Sequence, residues 1–238
     1  MEKTGSHLNI AIDGPAGVGK TTIGLALARA LEACFVDTGI MYRGIAYLSI
    51  RNNIPLEEQF KIAQLATETI FTLVPDDDGI ESKLLINGHP FTDVLHSNAV
   101  NGSVSQVAMI PAVRDPLVAW QRSLATQKRT VMVGRDITTT VLPEAKIKIY
   151  LDASLEERNR RRSLQNDQVE PRQDVLSYTL NARDIIDSTR ITSPLYVGSD
   201  VTQIDTTDLT FDQVFETILA AAQNVTQRCR TGCHELNL

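Results

Sequence analysis

The chain has 238 residues, of which 42% are hydrophobic and 22% are charged, and its formal net charge is −6 at pH 7. These values predict a globular protein with one domain, or one domain and an insertion, and the acidic balance argues against binding of a long nucleic-acid backbone. The first residues contain no long apolar run, so the sequence predicts neither a signal peptide nor a membrane span there. The three widely spaced cysteines indicate free thiols in a reducing cytoplasm.

The first predicted elements are a strand, a glycine-rich loop and a helix. The apolar residues 8–12 form the strand, and residues 14–21, GPAGVGKT, match the P-loop pattern in full. Glycines let backbone N–H groups turn toward a phosphate, the helix start adds positive charge, the lysine reaches the β- and γ-phosphates, and the threonine hydroxyl can hold Mg²⁺. The helix is predicted over 21–33, although Gly24 costs about 1 kcal/mol there relative to alanine. The loop indicates nucleotide binding without distinguishing a kinase from a switch or a motor.

A second strand and then a β-rich segment follow. CFVDTG at 34–39 predicts a short strand that ends at Asp37, and residues 40–50 and 61–69 have helical spacing. Between residues 69 and 94 the pattern changes to short β segments, and Asp78-Gly79 and Asn87-Gly88 are strong turn signals. This segment is predicted to be a small β insertion into an alternating α/β core.

The alternating pattern resumes after the insertion. Asp115 and Pro116 predict a helix start, as N-cap and first-turn proline, with the helix running toward Gln127. TVMVGRD predicts a strand with Arg135 and Asp136 at its carboxyl end, and AKIKIYLDAS predicts another strand. Ligand crevices form at the carboxyl ends of parallel strands, so these two side chains and Asp37 are candidates for a binding site.

An arginine-rich helix comes next, with Ser154 and Glu157 as a predicted capping box. Arg158, Arg161 and Arg162 lie one turn apart, so at least two of them can converge. On spacing alone a solvated face is favoured, with ordinary surface pairs from Glu157 to Arg161 and from Glu156 to Arg160.

The predicted helix at 174–190 carries one stripe that begins apolar and becomes charged. Leu176, Leu180, Arg183, Asp187 and Arg190 share this face. Two interpretations stay open: the charged end lines an aqueous cleft that holds anions, or the helix simply emerges from the core and its ions pair with one another. A last strand at 200–205 and a final helix to about 222, capped by Thr210 and Gln213, complete a mostly parallel sheet covered on both faces.

The chain end gives little. Cys229, Cys233 and His234 lie together, but no second pair of ligands occurs elsewhere, so they do not predict a metal site.

Eight segments occur in an order that resembles the bacterial-type cytidylate kinases, from about residue 8 to 222. They are the P-loop, VDTGIMYR (36–43), SQVAMIPAVR (105–114), VGRDI (133–137), IYLDAS (149–154), EERNRRR (156–162), RDIIDSTRITSPL (183–195) and IDTT (204–207). The departures are few: residue 21 is Thr where many nucleoside monophosphate kinases have Gly, ITTT at 137–140 lacks an expected glycine, and the lid segment 165–173 has few similarities.

The resemblance implies a fold and an activity. The fold is a parallel five-stranded P-loop kinase core with helices on both faces at 8–60 and 96–222, a β-rich nucleoside-monophosphate-binding insertion at 61–95, a helical lid at about 156–175 and a tail at 223–238. The activity is ATP- and Mg²⁺-dependent transfer of the γ-phosphoryl group to CMP or dCMP. The implied partners are these nucleotides, and no nucleic acid or membrane is expected to bind. The protein is expected to be a cytoplasmic monomer.

The resemblance also implies site residues. For ATP they are Gly14, Pro15, Ala16, Gly17, Val18, Gly19, Lys20, Thr21, Thr22, Arg158 and Arg162, with Thr21 and Asp37 near the metal. For CMP they are Arg43, Arg135 and Arg190 on the phosphate, Ser105, Arg114 and Asp136 on the cytosine, Arg183 and Asp187 on the sugar, and Thr38 and Tyr42 nearby. The implied catalytic residues are Lys20, Arg135, Arg162 and Arg190.

Two other functions remain open on the sequence. A P-loop kinase of a small alcohol, such as shikimate or gluconate, would use Asp37 or Asp136 as base or hydroxyl anchor. It would leave the charged stripe and the β insertion without a role. A nucleotide-dependent switch ATPase would need a water-positioning residue and segments tied to the γ-phosphate, for which we find no pattern.

Overall fold

A computed structural model describes residues 7–91, 94–165 and 173–231 of the chain. Its strands and helices alternate through most of the chain. In chain order they are β1 (Asn9–Asp13), α1 (Lys20–Ala30), β2 (Cys34–Asp37), α2 (Thr38–Arg51), α3 (Gln59–Glu68), β3 (Phe71–Pro75), β4 (Glu81–Ile86), β5 (His89–Pro90), α4 (Asn98–Met109), α5 (Pro111–Gln127), β6 (Thr130–Val133), β7 (Ile147–Asp152), α6 (Leu155–Gln165), α7 (Gln173–Thr189), β8 (Thr202–Asp205) and α8 (Phe211–Thr231).

Five parallel strands form the core sheet in the order β2-β6-β1-β7-β8. Alternate side chains of the central strand pack on opposite faces. Ile10 and Ile12 join a buried cluster with residues of α1 and α8, whereas Ala11 joins a cluster on the other face with residues that follow β6 and residues of α5. The predicted parallel core with helices on both faces is therefore confirmed, and the carboxyl ends of β1, β2, β6 and β7 meet at one edge.

The β segment between α3 and α4 forms a separate antiparallel sheet, β3-β4-β5. Its residues Phe71 and Ile86 are buried in a cluster that also contains Ile45 and Val104, from α2 and α4. The β insertion thus shares a core with the helices that flank one side of the cleft. The exact division of the chain at residues 61 and 95 stays a prediction.

One predicted helix start is wrong. Helix α5 begins at Pro111, and Pro116 lies inside it. Pro111 suits the first helical position, where its missing N–H has no helical partner to lose, whereas Pro116 lies in the second turn and forfeits the hydrogen bond to the carbonyl of Ala112.

The glycine inside α1 has a packing reason. A Cβ on Gly24 would lie 2.7 Å from Phe35 Cε2 and 2.7 Å from Val133 Cγ1. The helix therefore approaches β2 and β6 at a distance that only glycine allows, and this contact brings the start of α1 against the edge of the sheet.

The sequence predicts capping boxes at the starts of α6 and α8, and the structure contains the one at α8 in full and the one at α6 in part. Thr210 N–H donates to Gln213 Oε1 (2.8 Å) and Gln213 N–H to Thr210 Oγ1 (3.3 Å), which is a complete capping box. At α6, Glu157 N–H donates to Ser154 Oγ (3.2 Å), but Ser154 N–H donates to Thr207 Oγ1 instead of Glu157.

Across the part of the chain described, no helix is both long and apolar enough to cross a membrane.

Candidate active site

The P-loop connects β1 to α1 at the carboxyl edge of the sheet. Gly14 has φ of 148°, and a Cβ there would lie 2.1 Å from the carbonyl oxygen of Leu151. Gly19, with φ of 93°, is the N-cap of α1. These backbone conformations are ones that L side chains rarely adopt, so the glycines fix the loop close to β7 and direct the start of α1 into the cleft.

Lys20 is buried at the centre of this loop. Its Nζ donates to the carbonyl oxygens of Gly14 and Pro15, both at 2.7 Å. Burial lowers the pKa of Lys20 well below its usual value, and the charge of Arg135 lowers it further. A phosphate beside the amine would offset both effects, so the side chain suits an anionic ligand.

The two predicted metal-site residues are in contact. Thr21 Oγ1 donates to Asp37 Oδ2 at 2.7 Å, and Asp37 Oδ1 accepts from the N–H of Gly39 at 3.0 Å as the N-cap of α2. A hydroxyl oxygen and a carboxylate oxygen at the end of a P-loop are the ligand type that Mg²⁺ prefers. The residues present therefore fit a magnesium ion bound with a nucleotide phosphate.

Arg135 follows β6 and lies between the P-loop and α7. Its Nε donates to Asp187 Oδ2 (2.9 Å) and its Nη1 to Gly14 O (3.0 Å). Burial alone would lower the pKa of Arg135, but the charges of Asp187 and Asp184 outweigh burial and raise it. Arg135 is thus a permanent cation held at the point where the sheet edge meets α7.

Asp136 lies in a buried cluster with two arginines. It forms an ion pair with Arg114, whose side chain is 4% exposed, and lies 3.5 Å from Arg190 Nη2. The Arg114 guanidinium carbon is 5.3 Å from the ring centre of Tyr42. Burial raises the pKa of Asp136, and both arginines oppose that rise. This arrangement presents a fixed carboxylate and two cations to one side of the cleft.

The charged stripe on α7 lines the same cavity as these residues. Arg183, Asp187 and Arg190 border it together with Arg43 from α2 and Arg162 from α6. The stripe therefore lines a cleft, as the first interpretation expects, and Asp187 and Arg190 also pair with each other within it (3.8 Å). The side chains of Leu176 and Leu180, which begin the stripe, lie outside the described part of the chain.

The guanidinium groups in this cavity are close enough to affect one another. Burial, together with the charges of Arg135 and Arg43, lowers the pKa of Arg183 to about 10. The pKa of Arg43 is also about 10, chiefly because of burial, with Arg162 and Arg135 adding to the effect against Asp37. Mutually repelling cations in a partly buried cavity favour binding of an anion such as phosphate.

The remaining predicted residues on this side are buried at the cavity wall. Ser105, on α4, borders the cavity, as does Thr38, whose Oγ1 donates to Val133 O at 3.0 Å. Arg43 Nη1 donates to Leu95 O (2.7 Å) and to Asn101 Oδ1 (2.9 Å). These hydrogen bonds join α2 to the start of α4 at the cavity wall. All ten residues predicted for the acceptor therefore lie around one cavity.

A second cavity lies on the other side of the P-loop, between α6 and the segment after β8. Its walls include Val18, Gly19 and Thr22, together with residues 206–211. Gly17, Lys20, Thr21 and Arg162 border both cavities. The two cavities thus meet at the P-loop lysine, and this geometry suits a reaction between two ligands.

The arginines of α6 differ in their environment, and Arg160 is exposed whereas Arg158 is not. Arg158 is buried, pairs with Asp184 of α7, and donates to Ala16 O at 3.1 Å. The expectation from spacing is therefore wrong for Arg158, because α6 packs directly on the P-loop. Arg161 pairs with Glu157 as predicted (2.7 Å), but Arg160 also pairs with Glu157 rather than with Glu156.

Three residues of the site are not among those predicted. Asp184 accepts from the N–H of Ala16 (3.1 Å), and Asp13 ends β1 directly before the P-loop. His96 borders the acceptor-side cavity, where burial and then Arg43 lower its pKa. The sequence offered a signal for two of them, because Asp184 is next to Arg183 and Asp13 comes directly before the P-loop. His96, which ends a short 3-10 helical turn (Val94–His96), had none.

No group of three or more metal-ligating side chains occurs within the described residues. Cys233 and His234 lie outside those residues.

A family profile and the related sequences agree on one family. The family profile described as cytidylate kinase matches residues 10–224. A cytidylate kinase from Lysinibacillus sphaericus (strain C3-41) is 40% identical over 91% of this chain and 97% of its own length. Another, from Desulfitobacterium hafniense (strain Y51), is 44% identical over 90% of this chain and 92% of its own.

Solved structures show more distant likeness. An uncharacterized protein from Eubacterium ventriosum ATCC 27560 is 14% identical with a TM-score of 0.50, covering 92% of this chain and 99% of that one, which concerns the fold alone. A gluconokinase from Sinorhizobium meliloti 1021, also 14% identical, has a TM-score of 0.47 over 94% of this chain and 96% of that one, and it bears on neither fold nor substrate.

Proposed function

This chain belongs to the cytidylate kinase family, and we propose that its two joined cavities hold ATP and CMP with their phosphates facing each other at Lys20. The chain is an ATP-dependent phosphotransferase that moves the γ-phosphoryl group to CMP or dCMP and gives ADP and the nucleoside diphosphate. Family membership sets aside the alternatives of a small-alcohol kinase and of a switch ATPase.

One observation carries the placement of CMP: the cavity that contains the buried Asp136 also contains the cluster Arg43, Arg135, Arg183 and Arg190. We propose that Arg43, Arg135 and Arg190 bind the CMP phosphate and that Arg183 and Asp187 contact the sugar. Thr38 and Tyr42 lie beside them.

The cytosine is proposed to bind against Ser105, Arg114 and Asp136. Cytosine carries an amino donor at N4, and a carboxylate accepts from it, whereas uracil presents a carbonyl at the same place and is repelled. Since Asp136 is held by two arginines, its carboxylate keeps a fixed orientation, and this supports a role in selecting CMP over UMP.

The chemistry requires no general base from the protein. The acceptor oxygen belongs to a phosphate whose second pKa is near 6, so at neutral pH it is already a nucleophile. The barrier comes from bringing two anions together in line, and cations reduce that barrier by neutralising charge as it moves onto the transferred group. We propose Lys20, Arg135, Arg162 and Arg190 as the catalytic residues with this role.

On the donor side we propose that residues 14–22 bind the ATP phosphates through backbone N–H groups and Lys20. Bound Mg²⁺ neutralises phosphate charge, and Thr21 with Asp37 would hold it. Arg162, at the junction of the cavities, would contact the transferring phosphate, and Arg158 would support the loop from α6. The predicted lid at about 156–175 includes residues 166–172, which lie outside the described residues. Closure of this segment over ATP would exclude water, which competes for the phosphoryl group.

The broader setting is also proposed. We expect a cytoplasmic monomer that acts on free nucleotides, without a nucleic-acid or membrane partner. The division into a core (8–60 and 96–222), an acceptor insertion (61–95) and a tail (223–238) goes with this proposal.

The test is ADP production from ATP and Mg²⁺ with each candidate acceptor in turn. We expect strong stimulation by CMP and dCMP, and little by UMP, shikimate or gluconate. A rate that is the same with and without every acceptor would identify a switch ATPase and contradict the proposal.

A further inference from the structure

Asp13 is the last residue of β1 and precedes the P-loop directly. Its side chain is completely buried and accepts three hydrogen bonds. They come from the N–H of Ile137 (2.8 Å), the N–H of Thr138 (2.7 Å) and the hydroxyl of Thr138 (2.6 Å). A buried carboxylate is costly unless its oxygens are satisfied in this way. Asp13 therefore joins β1 to the segment that follows β6.

The residues that Asp13 holds begin a short π-helical turn, Ile137–Val141. The segment before the turn is fixed at its other end, because the N–H of Gly134 donates to Ile12 O at 2.9 Å. Only Arg135 and Asp136 lie between these two attachment points. Their backbone positions are therefore set from both sides by β1.

We propose that Asp13 is a positioning residue for the acceptor site, acting by holding residues 137 and 138 so that Arg135 and Asp136 face the acceptor nucleotide together. The inference rests on the proposed function, since it assigns Asp13 to CMP binding and selection.

The ionised carboxylate suits this role better than any amide. Three donors converge on its two oxygens, and an asparagine would offer a single oxygen and turn an NH₂ group toward a donor. Burial raises the pKa of Asp13 to about 6, against the hydrogen bonds from Thr138 and Ile137. At neutral pH the group is therefore mostly ionised and accepts all three.

The experiment compares Asp13→Asn with Thr138→Val and Thr138→Ser. We expect Asp13→Asn to raise KM for CMP and to narrow the CMP-to-UMP ratio of kcat/KM by about tenfold, as expected when a buried donor loses its partner. Thr138→Val removes one of the three hydrogen bonds and should act in the same direction to a smaller extent. Thr138→Ser keeps the hydroxyl and should restore wild-type values, while KM for ATP stays within about twofold in all three.

The matched control is Ile147→Val, a buried change at the far end of β7. It should lower the melting temperature without moving KM for CMP or the CMP-to-UMP ratio. If Asp13→Asn does not fold, the Thr138 pair decides the question by itself.

Two results would overturn the inference. One is an unchanged CMP-to-UMP ratio and unchanged KM for CMP in both Asp13→Asn and Thr138→Val. The other is a rise of KM for ATP and CMP by the same factor, because this would assign Asp13 to the P-loop. A wild-type chain that does not respond to CMP would instead remove the proposed function itself, so the two failures are distinguishable.

Discussion

Thr21 donates a hydrogen bond of 2.7 Å to Asp37, and the contact joins the residue after the P-loop lysine to the carboxylate that ends β2. The same carboxylate caps α2, the helix that carries Arg43 into the acceptor cavity. The proposed metal site is thus part of the connection between the donor loop and the acceptor side of the cleft.

Thr21→Val should raise the Mg²⁺ concentration needed for half-maximal activity by about tenfold or more, because it removes an oxygen ligand from the proposed site. Thr21→Ser keeps the oxygen and should stay near wild type. The measurement is the rate of ADP formation against Mg²⁺ at fixed ATP. Thr67→Val, an exposed change on α3 that removes a hydroxyl bonded to Ala63 O, is the control. An unchanged Mg²⁺ requirement in Thr21→Val would argue against this ligand.

Asp136→Asn should reduce the preference for CMP over UMP, measured as the ratio of kcat/KM values, by at least about tenfold. The amide retains the shape of the carboxylate but can donate to the uracil carbonyl, and Asp136→Ala should also lose the preference. Asp200→Asn changes an exposed carboxylate that pairs with Lys148, and it should keep the wild-type ratio. Wild-type discrimination in Asp136→Asn would show that the cytosine is recognised elsewhere.

Arg190→Met should lower kcat with CMP by about a hundredfold or more, because it removes a cation from the proposed path of the transferred phosphate. The affinity for ATP, measured by calorimetry, should remain close to wild type. Arg29→Met removes an exposed arginine that pairs with Asp78 and serves as the control. An equal loss of ATP affinity and kcat would move Arg190 to the donor side.

Gly24→Ala should lower the free energy of unfolding by about 1–3 kcal/mol, although alanine favours helix, since its Cβ would overlap Phe35 and Val133. Gly102→Ala, on α4, should instead stabilise the protein by about 0.5–1 kcal/mol, because nothing lies within 4 Å of the added Cβ. Chemical denaturation of both variants measures the two changes. A stabilising Gly24→Ala would mean that α1 does not pack this closely on the sheet.

Much of the fold followed from local pattern. The P-loop has a fixed order of residue types, apolar runs predicted the buried strands, and the Thr210 and Gln213 pair marked the start of α8. These features depend on neighbours within one or two turns of chain. The one wrong helix start arose because Asp115 and Pro116 carry an N-cap and first-turn proline signal, while the helix begins five residues earlier at Pro111.

Within the candidate site the sequence supplied the residue types at the strand ends, and the family resemblance supplied roles for them. Spacing alone did not decide whether the stripe on α7 faces a cleft or solvent, and it favoured the wrong environment for Arg158. Asp184, next to Arg183, and Asp13, directly before the P-loop, were visible in the sequence but were given no role, and His96 carried no sequence signal.

The sequence by itself determined where phosphate can bind, because glycines, a lysine and a helix start act within a few consecutive residues. Only the tertiary structure decided which arginines converge, that Arg158 is buried against the P-loop, and that Asp13 accepts hydrogen bonds from the turn after Asp136. These contacts join residues far apart in the chain, and they form because parallel strands with helical crossovers bring their carboxyl ends to one edge, which no local spacing encodes.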